Sequence, residues 1–214
     1  MAKFNVTGEQ HFGITGQMLE IQRQIRLKSG SPIDPELVAL ALQDIVEGRF
    51  AHSISKKKNS ITRLLSKGES IIIDACKGKE TLADAKDVFK SGIDSNFKNW
   101  DLNKTDKDTE ETAVQVHKIV KDPTFVQMFG SLGTDLDKLC LTQSQIKNFC
   151  KKHSNWLRTD GYATFFLFKV GDQFFVADVR VDSDGLCVDV VRFEDDDVWN
   201  ADVAHRLVVP QQTV

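Results

Sequence analysis

Apolar residues at Ile14, Met18, Ile21 and Ile25 recur at steps of four, three and four, which predicts a helix with one apolar stripe. Gly30 supplies its stop, because a left-handed position after a helix suits a residue without Cβ. Asp34-Pro35 then predicts a second helix, with Asp as N-cap and Pro where its missing N–H costs nothing. Val38, Ala41, Leu42 and Ile45 form its apolar face, and Gly48 ends it. A third helix is expected to turn Phe50, Ile54, Ile61, Leu64 and Leu65 inward and to end before Gly68. Short loops between the three predict a compact bundle.

After Gly68 the pattern changes. Glu69 to Ala75 is Ile-rich, bounded by Gly68 and Gly78, and too short for a helix, so a buried strand is expected. Thr81 with Asp84, and Thr142 with Gln145, have capping-box spacing. The first predicts a short helix through Phe89, the second a helix carrying Ile146, Phe149, Cys150 and His153. Asp122-Pro123 repeats the helix-opening signal ahead of Phe125, Val126 and Phe129, and residues 101–111 read as a surface loop. From Tyr162 the period is two. YATFFLFKV, QFFVADVRV and LCVDVVRF are separated by Gly171-Asp172 and by Asp182-Ser183-Asp184-Gly185, which predicts an antiparallel meander. Its second strand shows one dry face (Phe175, Ala177, Val179, Val181) and one that is apolar and then charged (Phe174, Val176, Asp178, Arg180). His205 to Val209 reads as an added edge strand stopped by Pro210. The expected fold is α+β. A helical module spans residues 1–68, and residues 69–214 pack helices on one face of an antiparallel sheet.

Composition narrows the class. The chain has 214 residues, 41% hydrophobic and 28% charged, with 4 Pro and 13 Gly, which excludes disordered and collagen-like chains. Fourteen Phe against one Tyr favours core filling over a recognition surface, since Phe has no polar handle. The net charge of -3 is uneven: residues 1–70 carry 10 basic and 7 acidic groups, residues 171–214 carry 3 and 10. The opening MAKFNVTGEQHFGITG lacks the apolar stretch of a secretion signal, and no run approaches the ~20 apolar residues of a membrane span. Cys76, Cys140, Cys150 and Cys187 lack paired spacing and read as buried free thiols of a cytoplasmic protein.

Several long segments carry a resemblance: RQIRLKSGSPIDPELVALALQDIVEGRF, FGSLGTDLDKLCLTQSQIKNFCKKHSNWLRTDGYATFFLFKV, and the tail elements VDSDG, RFEDDDVWNAD and HRLVVPQ. Across most of its length the chain resembles a group of bacterial hypothetical proteins of similar size. The resemblance implies an intracellular bacterial protein and carries no activity, substrate or residue role.

Five groups of side chains could carry chemistry. Arg49, Lys56, Lys57, Lys58, Arg63 and Lys67 lie between Gly48 and Gly68 without an acid among them. They could dock on phosphates, although a charge run usually marks a solvated helix face. Cys150 and His153, three apart on a helix, could share a metal with Cys140 and His205; a buried thiol and a helix-end imidazole is the plainer reading, and no metal is expected. His153, Arg158, Asp160 and His205 could line a catalytic pocket if they converge, whereas Arg158 and Asp160 alone could simply stabilise a turn. Asp178, Arg180 and Asp189 read as a cross-strand ion network, and Asp195, Asp196 and Asp197 as a hydrated loop rather than a cation site. Phosphate-cradling, nucleophile-elbow and zinc-protease motifs are absent from the sequence. The expectation is a non-catalytic intracellular module that binds a protein partner and needs no cofactor. Nucleic-acid binding by the basic segment, or an enzyme with a site near His153, Arg158 and His205, are the alternatives.

Overall fold

A computed structural model describes residues 5, 7–27, 30–47 and 60–212. The chain divides into two units, Met1–Asn59 and Ser60–Val214. In the first, α1 spans Gly8–Ile25 and α2 spans Pro35–Val46. Thr7 and Gln10 form a capping box that starts α1, and the Asp34 carboxylate accepts from the Glu36 N–H at the start of α2. The stripes anticipated from the spacing are present, but none of the unit's described residues is buried: Met18 is 51% and Leu40 65% exposed. The expected inward packing of a three-helix bundle is therefore absent among the described residues. Arg49, Phe50, Ile54, Lys56, Lys57 and Lys58 lie outside them. Where the third helix was to end, Thr62–Leu64 is a strand, β1, because its backbone pairs with a distant strand that local spacing cannot reveal.

The second unit is built on an eight-stranded mixed sheet. After β1 come β2 (Ile71–Ile73), β3 (Gly92–Ile93), β4 (Thr112–Ile119), β5 (Thr164–Val170), β6 (Gln173–Asp182), β7 (Gly185–Arg192) and β8 (Arg206–Pro210). Their order is β1-β4-β8-β5-β6-β7-β3, with β2 also on β4. The antiparallel meander β5-β6-β7 turns at Gly171 and Gly185, both with positive φ. Two features correct the expected topology. β8 is no edge strand: it lies between β4 (antiparallel) and β5 (parallel), and β3 joins β7 in parallel, so the sheet is mixed. And β4, which fills the position beside β8, lies in a stretch where no strand was anticipated.

Helices cover both faces rather than one. On the first face, α5 (Gln143–Lys152) brings Ile146, Phe149 and Cys150, and α3 (Asn96–Asn99) brings Phe97, against Val116, Phe166, Phe168, Ala177 and Val208. On the second, α4 (Phe125–Gly130) brings Phe125, Met128 and Phe129 against Phe165, Leu167, Val176 and Leu207. Thr142 and Gln145 cap α5 reciprocally, and Thr124 and Gln127 do the same for α4, in place of Asp122. The Thr81 hydroxyl donates to the Asp84 carboxylate, and only a 3-10 turn, Leu82–Asp84, forms there. Nine Phe side chains are under 2% exposed or nearly so, each contributing roughly 1.5–3 kcal/mol by burial, so Phe is the material of both cores.

Gly78 takes φ +64, and a Cβ there would collide with the carbonyl oxygens of Asp106 and Lys107. Gly78→Ala is expected to destabilise the unit by more than about 1 kcal/mol, read as a lowered urea midpoint with an unchanged slope.

Candidate functional site

Three of the sequence-selected side chains, Arg158, Asp160 and His205, meet where β5 and β8 begin. After α5 and a 3-10 turn (Ser154–Trp156), the chain reverses through Asp160 and Gly161, both at positive φ, to enter β5. Arg158 is held from four sides. Its N–H donates to the Thr164 hydroxyl (2.7 Å), its Nε to the Val203 carbonyl (3.1 Å) and its Nη1 to the Asp160 carboxylate (3.1 Å), while its guanidinium lies 5.0 Å over the Tyr162 ring. His205 accepts at Nδ1 from the Ala163 N–H (3.0 Å), which leaves the ring proton on Nε2. Its imidazole packs among Trp199, Phe165 and Tyr162, and burial pushes its pKa down to about 4.

Arg158, Asp160 and His205 therefore converge, with Tyr162 between the arginine and the histidine. His153 does not join them. It ends α5, its ring lies against Phe149, and its Nε2 donates to the Ile72 carbonyl of β2 (2.9 Å). In the convergent set the Nδ1 lone pair of His205 is occupied and its ring is kept neutral. Arg158 ties the Asp160 turn to the Val203 carbonyl ahead of β8. This arrangement fastens the starts of two strands.

Farther along the second face Asp178, 1% exposed, receives Arg180 in a two-pronged contact (2.5 and 3.3 Å), and Asp189 stands 4.0 Å from the same guanidinium. Burial raises the Asp178 pKa against the pull of Arg180, and it raises that of Asp189 likewise. The cluster is an ion network on adjacent strands, Asp178 lying opposite Asp189 in register.

The surroundings of the thiols disfavour their thiolate forms. Burial pushes Cys150 upward, Cys140 up to about 12 and Cys187 to about 11. Among the described residues no group of three or more His, Cys, Asp and Glu is placed to hold a metal ion, and Asp195 instead accepts from the Asp197 N–H. A cleft of about 420 Å³ lies between Lys104, Asp137, Cys140, Thr142 and Lys169, and two of its lining charges, Lys169 and Asp137, pair with each other at 2.8 Å. Of the basic segment, Arg63 is exposed on β1 and Lys67 is exposed beyond it, so Arg63 lies on a strand, not on a helix of a helix-turn-helix. Sequence reading missed Trp199, which packs on His205 and Phe165, and the strand cations Lys118 and Arg206. The step of two from Val114 and Val116 to Lys118 in β4 could have flagged Lys118 as a cation on a core-facing side; β8 carries no such alternation.

Removing Arg180 would leave Asp178 charged in a dry site. Arg180→Ala is expected to cost about 3 kcal/mol, whereas the paired change Asp178→Leu/Arg180→Met is near neutral; urea unfolding distinguishes them. Two buried histidines, His117 and His205, fold with pKa values of about 4 against an ordinary 6.5. The unfolded chain then binds protons first, so stability is complete above pH 6.5 and is lost as the pH falls toward 4, by up to about 3 kcal/mol per histidine. His117→Leu, which removes a buried Nε2 with no partner, should flatten that loss when unfolding is followed at pH 7 and pH 4.5.

Comparisons with known proteins add no relative: no family model, no curated protein and no solved structure matches this chain.

Proposed function

We propose that the chain is a non-catalytic, cytoplasmic protein-interaction module that pairs with a second copy of itself along α1. The observation that carries this is the apolar stripe Ile14, Met18, Ile21 and Ile25 on a capped 18-residue helix, with Ile14 and Met18 exposed and Ile21 and Ile25 half-buried. Its 4-3-4 spacing is the 3.5-residue repeat of a two-helix seam, and a seam of this kind is complementary to itself. The helix dipoles favour the antiparallel arrangement, in which the N-terminus of each α1 lies beside the C-terminus of the other. The second unit supports a non-catalytic reading because the side chains best suited to catalysis are spent on chain reversal and strand pairing. No helix of the described residues is long and apolar enough to cross a membrane, and four free cysteines favour a reducing compartment.

Sedimentation equilibrium of the full chain tests the reading. The wild type is expected to be dimeric at tens of micromolar, and Met18→Asp/Ile21→Asp to be monomeric with an unchanged near-ultraviolet spectrum. A wild type that stays monomeric at that concentration, or a double variant that remains dimeric, contradicts it.

A further inference from the structure

We propose that Arg63, Lys118 and Arg206 form a binding row for the phosphates of a single-stranded nucleic acid, a role that goes beyond self-pairing through α1. The three residues stand on adjacent strands β1, β4 and β8 in direct register, Arg63 opposite Lys118 and Lys118 opposite Arg206. Side-chain alternation sets all three on the first face, because Leu65, Val116 and Val208, two positions away on each strand, enter the core there. At a strand spacing of roughly 4.8 Å the row extends over about 10 Å. Thr164 continues it on β5, and no carboxylate occurs at any of these register positions.

Like charges directly opposite one another destabilise a sheet, so three in succession call for a compensating anion. The protein supplies none: neither Arg63 nor Lys118 forms an ion pair among the described residues, and the Nη1 of Arg206 is turned to the carbonyls of Trp156 (2.8 Å) and Leu157 (3.1 Å). Arg158 adds further positive charge beside Arg206, whose pKa is lowered by burial and by that neighbour. The shape of the row favours a strand over a compact ion. Three cations in line exceed what one phosphate can touch but match successive phosphates of an extended chain. One partly exposed aromatic residue stands beside the row: Trp156, which packs against the first-face core and whose carbonyl Arg206 holds. Cations along a backbone with an aromatic ring at hand are elements of single-strand recognition, whereas reading a duplex groove calls for a protruding helix or ribbon.

Fluorescence anisotropy of a labelled single-stranded oligonucleotide, RNA and DNA in separate arms, with the full chain at low salt tests the proposal. Binding is expected to weaken steeply with salt. Arg63→Ala/Lys118→Ala should weaken it at least about tenfold and lower the logarithmic salt slope by about 1.4, two contacts at roughly 0.7 each. Relief of like-charge repulsion leaves the urea midpoint of this variant unchanged or raised, which separates lost binding from lost folding. Absence of binding by the wild type would overturn the proposal. So would binding that survives the double variant and is removed by Lys56→Ala/Lys57→Ala/Lys58→Ala, a duplex bound as tightly as the single strand, or competition by poly-glutamate as effective as by unlabelled oligonucleotide.

Discussion

The second unit depends on how its last strand is secured in the middle of the sheet. β8 arrives after every other strand and must enter between β4 and β5, so its first residues bond in both directions. The His205 carbonyl accepts from the Ile119 N–H of β4, its Nδ1 accepts from the Ala163 N–H, and the Arg206 N–H donates to the Ala163 carbonyl at the entry to β5. Arg206 then reaches across the first face to two carbonyls of the segment that leads into the turn. Backbone groups buried at such a junction have no water to turn to, and each one left unpaired would cost about 1–3 kcal/mol. That requirement explains why a histidine, two arginines and an aspartate gather here.

From this junction the rest follows by alternation. Leu207 and Val209 enter the core of one face and Val208 that of the other, so a central β8 requires cover on both sides. α5 and α3 provide it on the first face, α4 and Trp199 on the second. The same alternation sets Arg206 beside Lys118 and Arg63, where the apolar cover ends. The cationic row is thus a consequence of the topology that buries β8, and its charge is available to a ligand because structural duties occupy only part of one guanidinium.

Local signals were legible in the sequence and distant pairings were not. The meander was readable because period two and the Gly171 and Gly185 turns act over a few residues. The Thr142–Gln145 box was readable because both partners lie within one helical turn. Residues 61–65 misled, since Ile61, Leu64 and Leu65 fit a helical step as well as a short strand, and only pairing with residues 117–119 decides for β1. β4 is hard to read because the alternation Val114, Gln115, Val116, His117 covers only four residues before Lys118 and Ile119 reverse it. β8 was taken for an edge because Pro210 ends it, yet the proline sits at its last pairing position, where it costs the ladder little. Of the candidate site, Arg158 and Asp160 were near neighbours in sequence, but His205 joins them only through the parallel β5–β8 pairing. His153 was misgrouped because its helix lies on the first face and ends at the β2 edge.

The central claim is that the polar groups at the β5–β8 junction are structural, and the protonation state of His205 tests it most directly. Nitrogen-15 NMR of the imidazole, followed from pH 8 downward, should show a neutral ring protonated at Nε2 that resists protonation until pH values near 4. A ring that titrates at the ordinary 6.5, or that carries its proton on Nδ1, would contradict the bond to Ala163 and would return this junction to the list of places where proton transfer could occur.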